Sequence, residues 1–414
     1  MKIWIINPYG NIPGEGWRTY RTTLIANAFV ENGHQVVSWV SNIQHRSKER
    51  RAETWKDVQV NPNYLIKIVP SVPYSSHISF ARIQYERTYA KNLRERALGL
   101  GEWRNAHLDE PDLIILAEPA LFLSDIILDV VKQKKCKLLV DIIDLWPELF
   151  SILLPKRFTF IDKILFFPLY YRRRQLLKKA DGIIAVAKDY LKLALKANPQ
   201  VPNDVVYWGL EVSEVKSLTS NAFVSPLLQQ LQKQENEIWV VYAGTLGPNY
   251  DIKTIVACAK LLAKTAPHVK IIVAGDGPLR NLVSHSQANL IYVGSLTSAD
   301  VSLLYTKCDM ALSSYVGAST VSMPIKAYDY LASGLPLINS LGRDLGTFVV
   351  QEVVGLPYLA EDVNSMAASI LTLATDSELR HKMGGNALAL SDQFDAKIQY
   401  QKVVQVAEQI WHLV

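Results

Sequence analysis

The feature that most constrains this chain is an alternation of short, unbroken apolar runs with longer stretches of helical pattern. In the first half the runs are 2–7 (KIWIIN), 35–40 (QVVSWV), 65–70, 112–118, 137–144 and 182–187. In the second half they are 238–244 (IWVVYAG), 270–276, 290–294, 310–315 and 336–340. A strand with one wet face alternates apolar and polar residues, and most of these runs do not, so they read as strands covered on both faces. Such strands, separated by helix-length segments, form parallel sheets with crossover helices. The expected fold class is α/β, with two doubly wound sheets.

Two sheets also suit the length, because 414 residues exceed the ~250–300 at which one hydrophobic core stops growing. The weakest patterning lies between Asn198 and Asn236, where Pro199 and Pro202 open a polar, irregular stretch of the kind that separates domains. The expected division is 1–200, 201–394 and a C-terminal helix over 395–414. That helix carries Ile398, Val403, Val406, Ile410 and Leu413 as a stripe that needs a partner surface, and the first domain is the expected partner.

Composition narrows the function classes. With 49% hydrophobic and 20% charged residues the chain is neither disordered nor built for a bilayer. No run reaches the ~20 apolar residues that span a membrane. The opening MKIWIINPYG is too short in apolar residues for a signal peptide and reads as a first strand. A net charge of +5 without a matching basic motif argues against nucleic acid as a partner. Cys136, Cys258 and Cys308 lack metal-ligand spacing and read as reduced core thiols, so a reducing, cytoplasmic setting is expected. The histidines show neither zinc spacing nor a triad, and no metal site is expected.

Several segments carry candidate chemistry. The second half opens with YAGTLGPNYD, a strand followed by a turn at Gly244, Thr245 and Gly247 and a helix start near Asp251. Small residues there let a ligand approach the backbone, and free amides at a helix start favour an anion; a plain strand-to-helix turn is the alternative. AGDGP places Gly275, Asp276, Gly277 and Pro278 at the end of the next strand. In open α/β sheets ligands bind beyond the carboxyl ends of the strands, so both turns point at one crevice. In MPIKAYDYLASGLPLIN, Lys326 and Asp329 share a helix face. Lys326 suits a phosphate and Asp329 the vicinal hydroxyls of a ribose; an exposed i,i+3 ion pair is the bland alternative.

The first half offers a glycine-rich loop, Gly14 and Gly16, before a helix whose first turn holds Arg18 and Arg21. These arginines either stabilise developing negative charge or form a solvated face. In VDIIDLWPELF, Asp141 and Asp144 end an apolar strand; Asp144 and Glu148 suit sugar hydroxyls, with helix capping as the alternative. Residues 158–179 interleave aromatics with Lys163, Arg172, Arg173, Arg174, Lys178 and Lys179, which suits an anionic membrane surface, a buried helix with a charged end being the alternative.

Together GTLGPNYD, AGDGP, YVGSLTSADVSLLYTKCD and MPIKAYDYLASGLPLI resemble the C-terminal domain of family 4 glycosyltransferases, and NGHQV, DLWPE and ADGIIAVAKDYL resemble their N-terminal domain, especially in members that build bacterial surface polysaccharides. The resemblance implies glycosyltransferase fold type B: two Rossmann-like domains facing across a cleft, acceptor side first and nucleotide-sugar side second. It implies a retaining, metal-independent, hexosyltransferase-like enzyme that moves a sugar from a nucleotide diphosphate, a UDP-sugar by expectation, to a lipid-linked or polysaccharide acceptor. The setting implied is the cytoplasmic face of the cell membrane. Gly244 and Gly247 would back the diphosphate, Gly275 to Pro278 line the base pocket, Asp329 bind the ribose and Lys326 meet the phosphates. Three positions depart from the pattern. Val321 replaces an expected acid, and Tyr250 stands where a lysine is usual, which shifts phosphate charge to Lys326 and Arg18 or Arg21. Ile143 replaces a histidine, which shifts the donor-sugar contact to Asp144. An epimerase of the same architecture and an inactive nucleotide-sugar-binding subunit are the alternatives.

Overall fold

A computed structural model describes residues 1–15, 21–75, 79–104, 110–119, 122–148, 150, 161–210, 231–284 and 289–412. The chain divides into two compact units, Met1–Trp208 with Lys397–Val414, and Gly209–Ala396.

The first unit is built on a sheet of eight strands among the described residues: β1 (Lys2–Ile6), β2 (Gln35–Ser41), β3 (Lys56–Asn61), β4 (Tyr64–Val69), β5 (Leu113–Glu118), β6 (Lys137–Ile142), β7 (Gly182–Ala185) and β8 (Asn203–Val205), in the order 3-4-2-1-5-6-7-8. All pairings are parallel except β3 with β4. The central strands are buried on both faces, as their unbroken apolar runs require; β5 is buried along its whole length. Strand β3, KDVQVN, is the exception. It is a polar antiparallel edge whose exposed lysine and aspartate discourage further pairing, and its lack of an apolar run is why it escapes a sequence search for covered strands.

The second unit carries a six-stranded parallel sheet of β9 (Ile238–Ala243), β10 (Val269–Ala274), β11 (Leu290–Tyr292), β12 (Met310–Ser313), β13 (Leu337–Asn339) and β14 (Gly355–Pro357), in the order 11-10-9-12-13-14. Its core joins Val240, Tyr242, Ile271 and Leu312 of the sheet to Ile255, Cys258 and Leu262 of helix Ile252–Thr265 and to Met366 and Ile370 of helix Val363–Thr375. Every strand expected from the apolar runs is present in one sheet or the other.

The order of the parallel strands reverses between β1 and β5 in the first sheet and between β9 and β12 in the second. Helices that leave adjacent strands in opposite directions open a crevice at such a switch point.

The last helix, Ala396–His412, packs on the first unit: Tyr400 donates from its hydroxyl to the Trp208 carbonyl at 2.7 Å, and the Gln399 side chain accepts from the Tyr207 amide at 3.0 Å. Ile410 lies so close to Gly182 of β7 that a methyl group there would fall 2.4 Å from its Cδ1. Beside this contact lies the unit's central polar tie. Arg21, on helix Arg21–Glu31, donates from Nε and Nη2 to the two Asp141 carboxylate oxygens, each at 2.7 Å, and from Nη1 to the Val206 carbonyl at 2.7 Å. Its guanidinium also lies over the rings of Tyr400 and Trp208. Both ionic side chains are 2% exposed, so removing either partner would strand a buried charge at a cost of about 3–5 kcal/mol. Arg21 is therefore neither a solvated helix face nor a free cation; it joins helix, sheet and C-terminal helix.

Candidate active site

The crevice of the second sheet is built by glycines that nothing else replaces. At the end of β9, Gly244 has φ +147° and its amide donates to the Ala274 carbonyl of β10 at 2.9 Å. At the end of β10, Gly275 has φ +140°, and a methyl group on it would fall 1.8 Å from the Gly244 carbonyl oxygen. Gly277 has φ +151°, and a methyl group on it would fall 2.5 Å from the Leu246 carbonyl oxygen. Leu246 in turn donates to Asp276 and accepts from Leu279. The two turns are thus stitched backbone to backbone, and only residues without a side chain allow that approach. Asp276 and Pro278 are exposed at the rim, Thr245 is exposed, and Gly247 is buried. Asp251 caps helix Ile252–Thr265 through Thr254 N and also accepts from Glu361 N at 2.8 Å.

Lys326 reaches this crevice from helix Ile325–Ala332, on the other side of the switch point. Its Nζ lies 2.8 Å from where a Gly244 side chain would begin, and 4.2, 4.5 and 5.5 Å from the ring centres of Tyr242, Tyr250 and Tyr315. The residue as a whole is half-buried, but its Nζ is buried and has no hydrogen-bond partner among the described residues. Burial brings the ammonium down from 10.5 to about 7. Burial also raises all three phenols, so none becomes an anionic partner near neutral pH. The ring faces offer the cation quadrupole attraction but no acceptor atom. Asp329 lies one turn further along the same helix, half-buried, its backbone carbonyl taken by Ser333. Of the expected second-half residues, the structure brings Gly244, Gly275, Gly277, Tyr250 and Lys326 together. The tyrosine that replaces the family's usual lysine forms part of the Lys326 cage. Val321 is half-buried beyond Gly317–Thr320.

In the first unit a polar pocket of 570 Å³ sits at the β1/β5 switch point. Its walls include Asn7, Tyr9, Arg46, Glu118, Ile143 and Asp144. Asp144 accepts from Leu145 N at 2.8 Å and from Trp146 Nε1 at 3.3 Å, while burial raises its carboxyl above the ordinary range. Gly16 and Arg18 lie outside the described residues. Glu148 is not available to a sugar: Arg173 holds both its oxygens at 2.6 Å, and Arg173 is itself buried. That pairing also removes Arg173 from any membrane-facing basic surface. No group of side chains suited to holding a metal occurs among the described residues.

Residues 225–389, which include the caged lysine and its glycine turns, match the family model described as Glycosyl transferases group 1. The fold is that of the fold type B glycosyltransferases. Among curated relatives, chitobiosyldiphosphodolichol beta-mannosyltransferase of Candida glabrata is 25% identical over 49% of this chain and 49% of its own length. Alpha-monoglucosyldiacylglycerol synthase of Streptococcus pneumoniae is 23% identical over 53% and 51% respectively. The chain thus spans about half the length of the curated relatives it matches. A solved structure described as trehalose-6-phosphate from E. coli bound with UDP-2-fluoro glucose superposes with a TM-score of 0.71 at 13% identity, covering 99% of both chains.

A lysine whose native pKa is depressed by burial destabilises the fold at every pH below its unfolded value, because the proton held by the unfolded chain must be given up or carried into the buried site. With the native value about 7 against 10.5, this cost is full below pH 7 and gone above pH 10.5. Lys326→Met is therefore expected to raise Tm by several degrees at pH 7 and by much less at pH 10.5, measured by calorimetry. An equal shift at both pH values would show that the amine carries no such cost.

Proposed function

We propose that the chain is a retaining glycosyltransferase that uses a nucleotide-diphosphate sugar, with a UDP-sugar as the first candidate, and a lipid-linked acceptor. The single observation that carries this reading is the partnerless Lys326 amine set against the glycine-walled turn at Gly244. A buried cation site lacking an anion, beside backbone that a ligand can approach, is what a departing diphosphate requires. The group 1 family match covers that site. The UDP-2-fluoro glucose bound in a solved structure of the same fold supports the choice of donor, and the lipids in the names of the two curated relatives support the choice of acceptor.

In the proposed step, the bond from the sugar's anomeric carbon to the diphosphate oxygen breaks while that carbon bonds to the acceptor hydroxyl oxygen on the same face. The acceptor proton passes to the departing phosphate oxygen, so no separate base is needed. Protonated Lys326 offsets the charge that develops on the diphosphate, Asp329 accepts from the ribose hydroxyls, and Gly275 to Pro278 border the base. Asp144 accepts a hydrogen bond from a sugar hydroxyl.

Asp329→Ala is expected to weaken UDP binding about 10-fold or more, the loss of a charge-assisted hydrogen bond being worth ~1.5–3 kcal/mol, with Tm unchanged. Unaltered affinity would remove the ribose role. Incubation with candidate UDP-sugars, with and without a polyprenyl-linked saccharide, separates the activities: acceptor-dependent UDP release supports transfer, isomerised donor means an epimerase, and binding without turnover means an inactive subunit.

The proposed location is the inner face of the cell membrane, with the protein bound peripherally; no helix among the described residues is long and apolar enough to cross a bilayer. Ile164, Leu165, Phe167 and Tyr171 are exposed beside the exposed cations Lys163 and Arg174. At ~1 kcal/mol per cation near anionic lipid, the Lys163→Ser, Arg174→Ser pair is expected to lower affinity for phosphatidylglycerol vesicles about 30-fold at low salt. Unchanged co-sedimentation would contradict the membrane surface.

A further inference from the structure

Next to the polar pocket of the first unit lies a second, apolar chamber of 420 Å³. Ile83, Phe122, Trp146, Phe150, Phe166 and Leu169 line it, and Trp146 packs edge-on against Phe150 at 4.9 Å. Its volume falls in the ~300–1,000 Å³ range of small-molecule sites. At ~30 Å³ for a water-sized group, it accepts on the order of a dozen carbons. Phe80 stands at the chamber, 90% exposed, an apolar side chain held in water by the first turn of helix Phe80–Ala97.

Two side chains, Arg82 and Trp146, line both this chamber and the polar pocket, so the two spaces share a wall. The Arg82 guanidinium lies 4.1 Å from the Trp146 ring centre and 4.8 Å from that of Tyr9, and its Nε donates to the Tyr9 hydroxyl at 3.1 Å. Glu86, 3.4 Å from Arg82, also accepts from Tyr9, and burial raises its carboxyl. Arg87 and Arg172 both stand over Phe122, Arg172 with Asp125 at 3.4 Å. The wall shared with the polar pocket therefore carries the Arg82 cation with the Glu86 carboxyl beside it, while Arg87 and the Asp125-paired Arg172 stand at Phe122 on the chamber's own lining. A molecule that is apolar at one end, anionic in the middle and polar at the other matches this sequence of surfaces.

We infer that the apolar chamber holds the chain of a single-chain phosphorylated amphiphile, with its phosphate at Arg82 and its polar head in the pocket lined by Asn7 and Asp144. The inference rests on the lipid-acceptor reading above and sharpens it: it specifies a single-chain phosphorylated lipid and places the chain inside the protein rather than in the bilayer.

The test is equilibrium dialysis of the full chain against labelled isopentenyl, geranyl and farnesyl phosphates at submicellar concentration, with farnesol and inorganic phosphate as controls. Each buried methylene contributes about fourfold in affinity, so farnesyl phosphate is expected to bind at least ~30-fold more tightly than isopentenyl phosphate. Farnesol is expected to bind more weakly than farnesyl phosphate, and inorganic phosphate more weakly still. Ile83→Trp, which fills the chamber, is expected to cost farnesyl phosphate ~10-fold while leaving isopentenyl phosphate unaffected; Phe122→Ser gives the same comparison should the larger residue disturb folding. Affinity independent of chain length, or unchanged by both variants, overturns the chamber as a chain site, and equal binding of farnesol and farnesyl phosphate overturns the phosphate at Arg82. UDP binding measured on the same samples keeps the two readings apart: UDP bound without chain-length dependence defeats this inference alone, and chain-length dependence without UDP binding defeats the donor reading alone.

Discussion

The proposed site of the second unit depends on an interaction that is incomplete: a lysine amine buried against backbone and three tyrosine rings, with no hydrogen-bond partner among the described residues. Desolvating an ammonium is costly, and ring faces return only part of that cost. A fold retains such an arrangement when a ligand completes it. In the proposed reading that ligand is an anion, because the amine needs an acceptor, and it lies beside the turns that Gly244, Gly275 and Gly277 allow to pack backbone to backbone. The parallel sheet supplies the position. The reversal of strand order between β9 and β12 brings the Gly244 turn from one direction and the Lys326 helix from the other.

The first unit shows the opposite use of buried charge. Arg21 and Asp141 satisfy one another fully, and Arg173 and Glu148 nearly so, which makes them ties rather than reactive groups. Of those four only Arg21 lines the polar pocket, whose other polar walls include Asn7, Tyr9, Arg46, Arg82, Glu118 and Asp144. In the proposed reading the two switch points serve different chemistries, one taking an anion held by backbone and amine, the other a polar head joined to an apolar chain.

Much of the fold was legible because covered strands announce themselves: KIWII, LIILAE and IWVVYA have no polar alternation and cannot face water on either side. The short or polar strands β3, β8 and β14 carry no such signal, and only pairing reveals them. Glycine turns at 244–247 and 275–277 were legible as places of close approach, since their position after apolar strands is a local property. Partner choice was not. Arg21 meets a carboxylate 120 residues away, and Arg173 captures Glu148, which sequence spacing alone offered to a sugar. Tyr242, Tyr250 and Tyr315 come from separate strands and loops, so the cage that makes Lys326 unusual is a product of topology. In the sequence it was one lysine three residues from an aspartate.

The most direct measurement is the number of protons taken up when UDP binds at pH 8, from calorimetric titrations in two buffers of different ionisation enthalpy. A mostly neutral Lys326 that becomes an ammonium against the diphosphate requires uptake of about one proton per UDP bound, and loss of that uptake in Lys326→Met. Tight UDP binding with no net proton uptake in the unaltered protein would contradict the central role given to the caged amine.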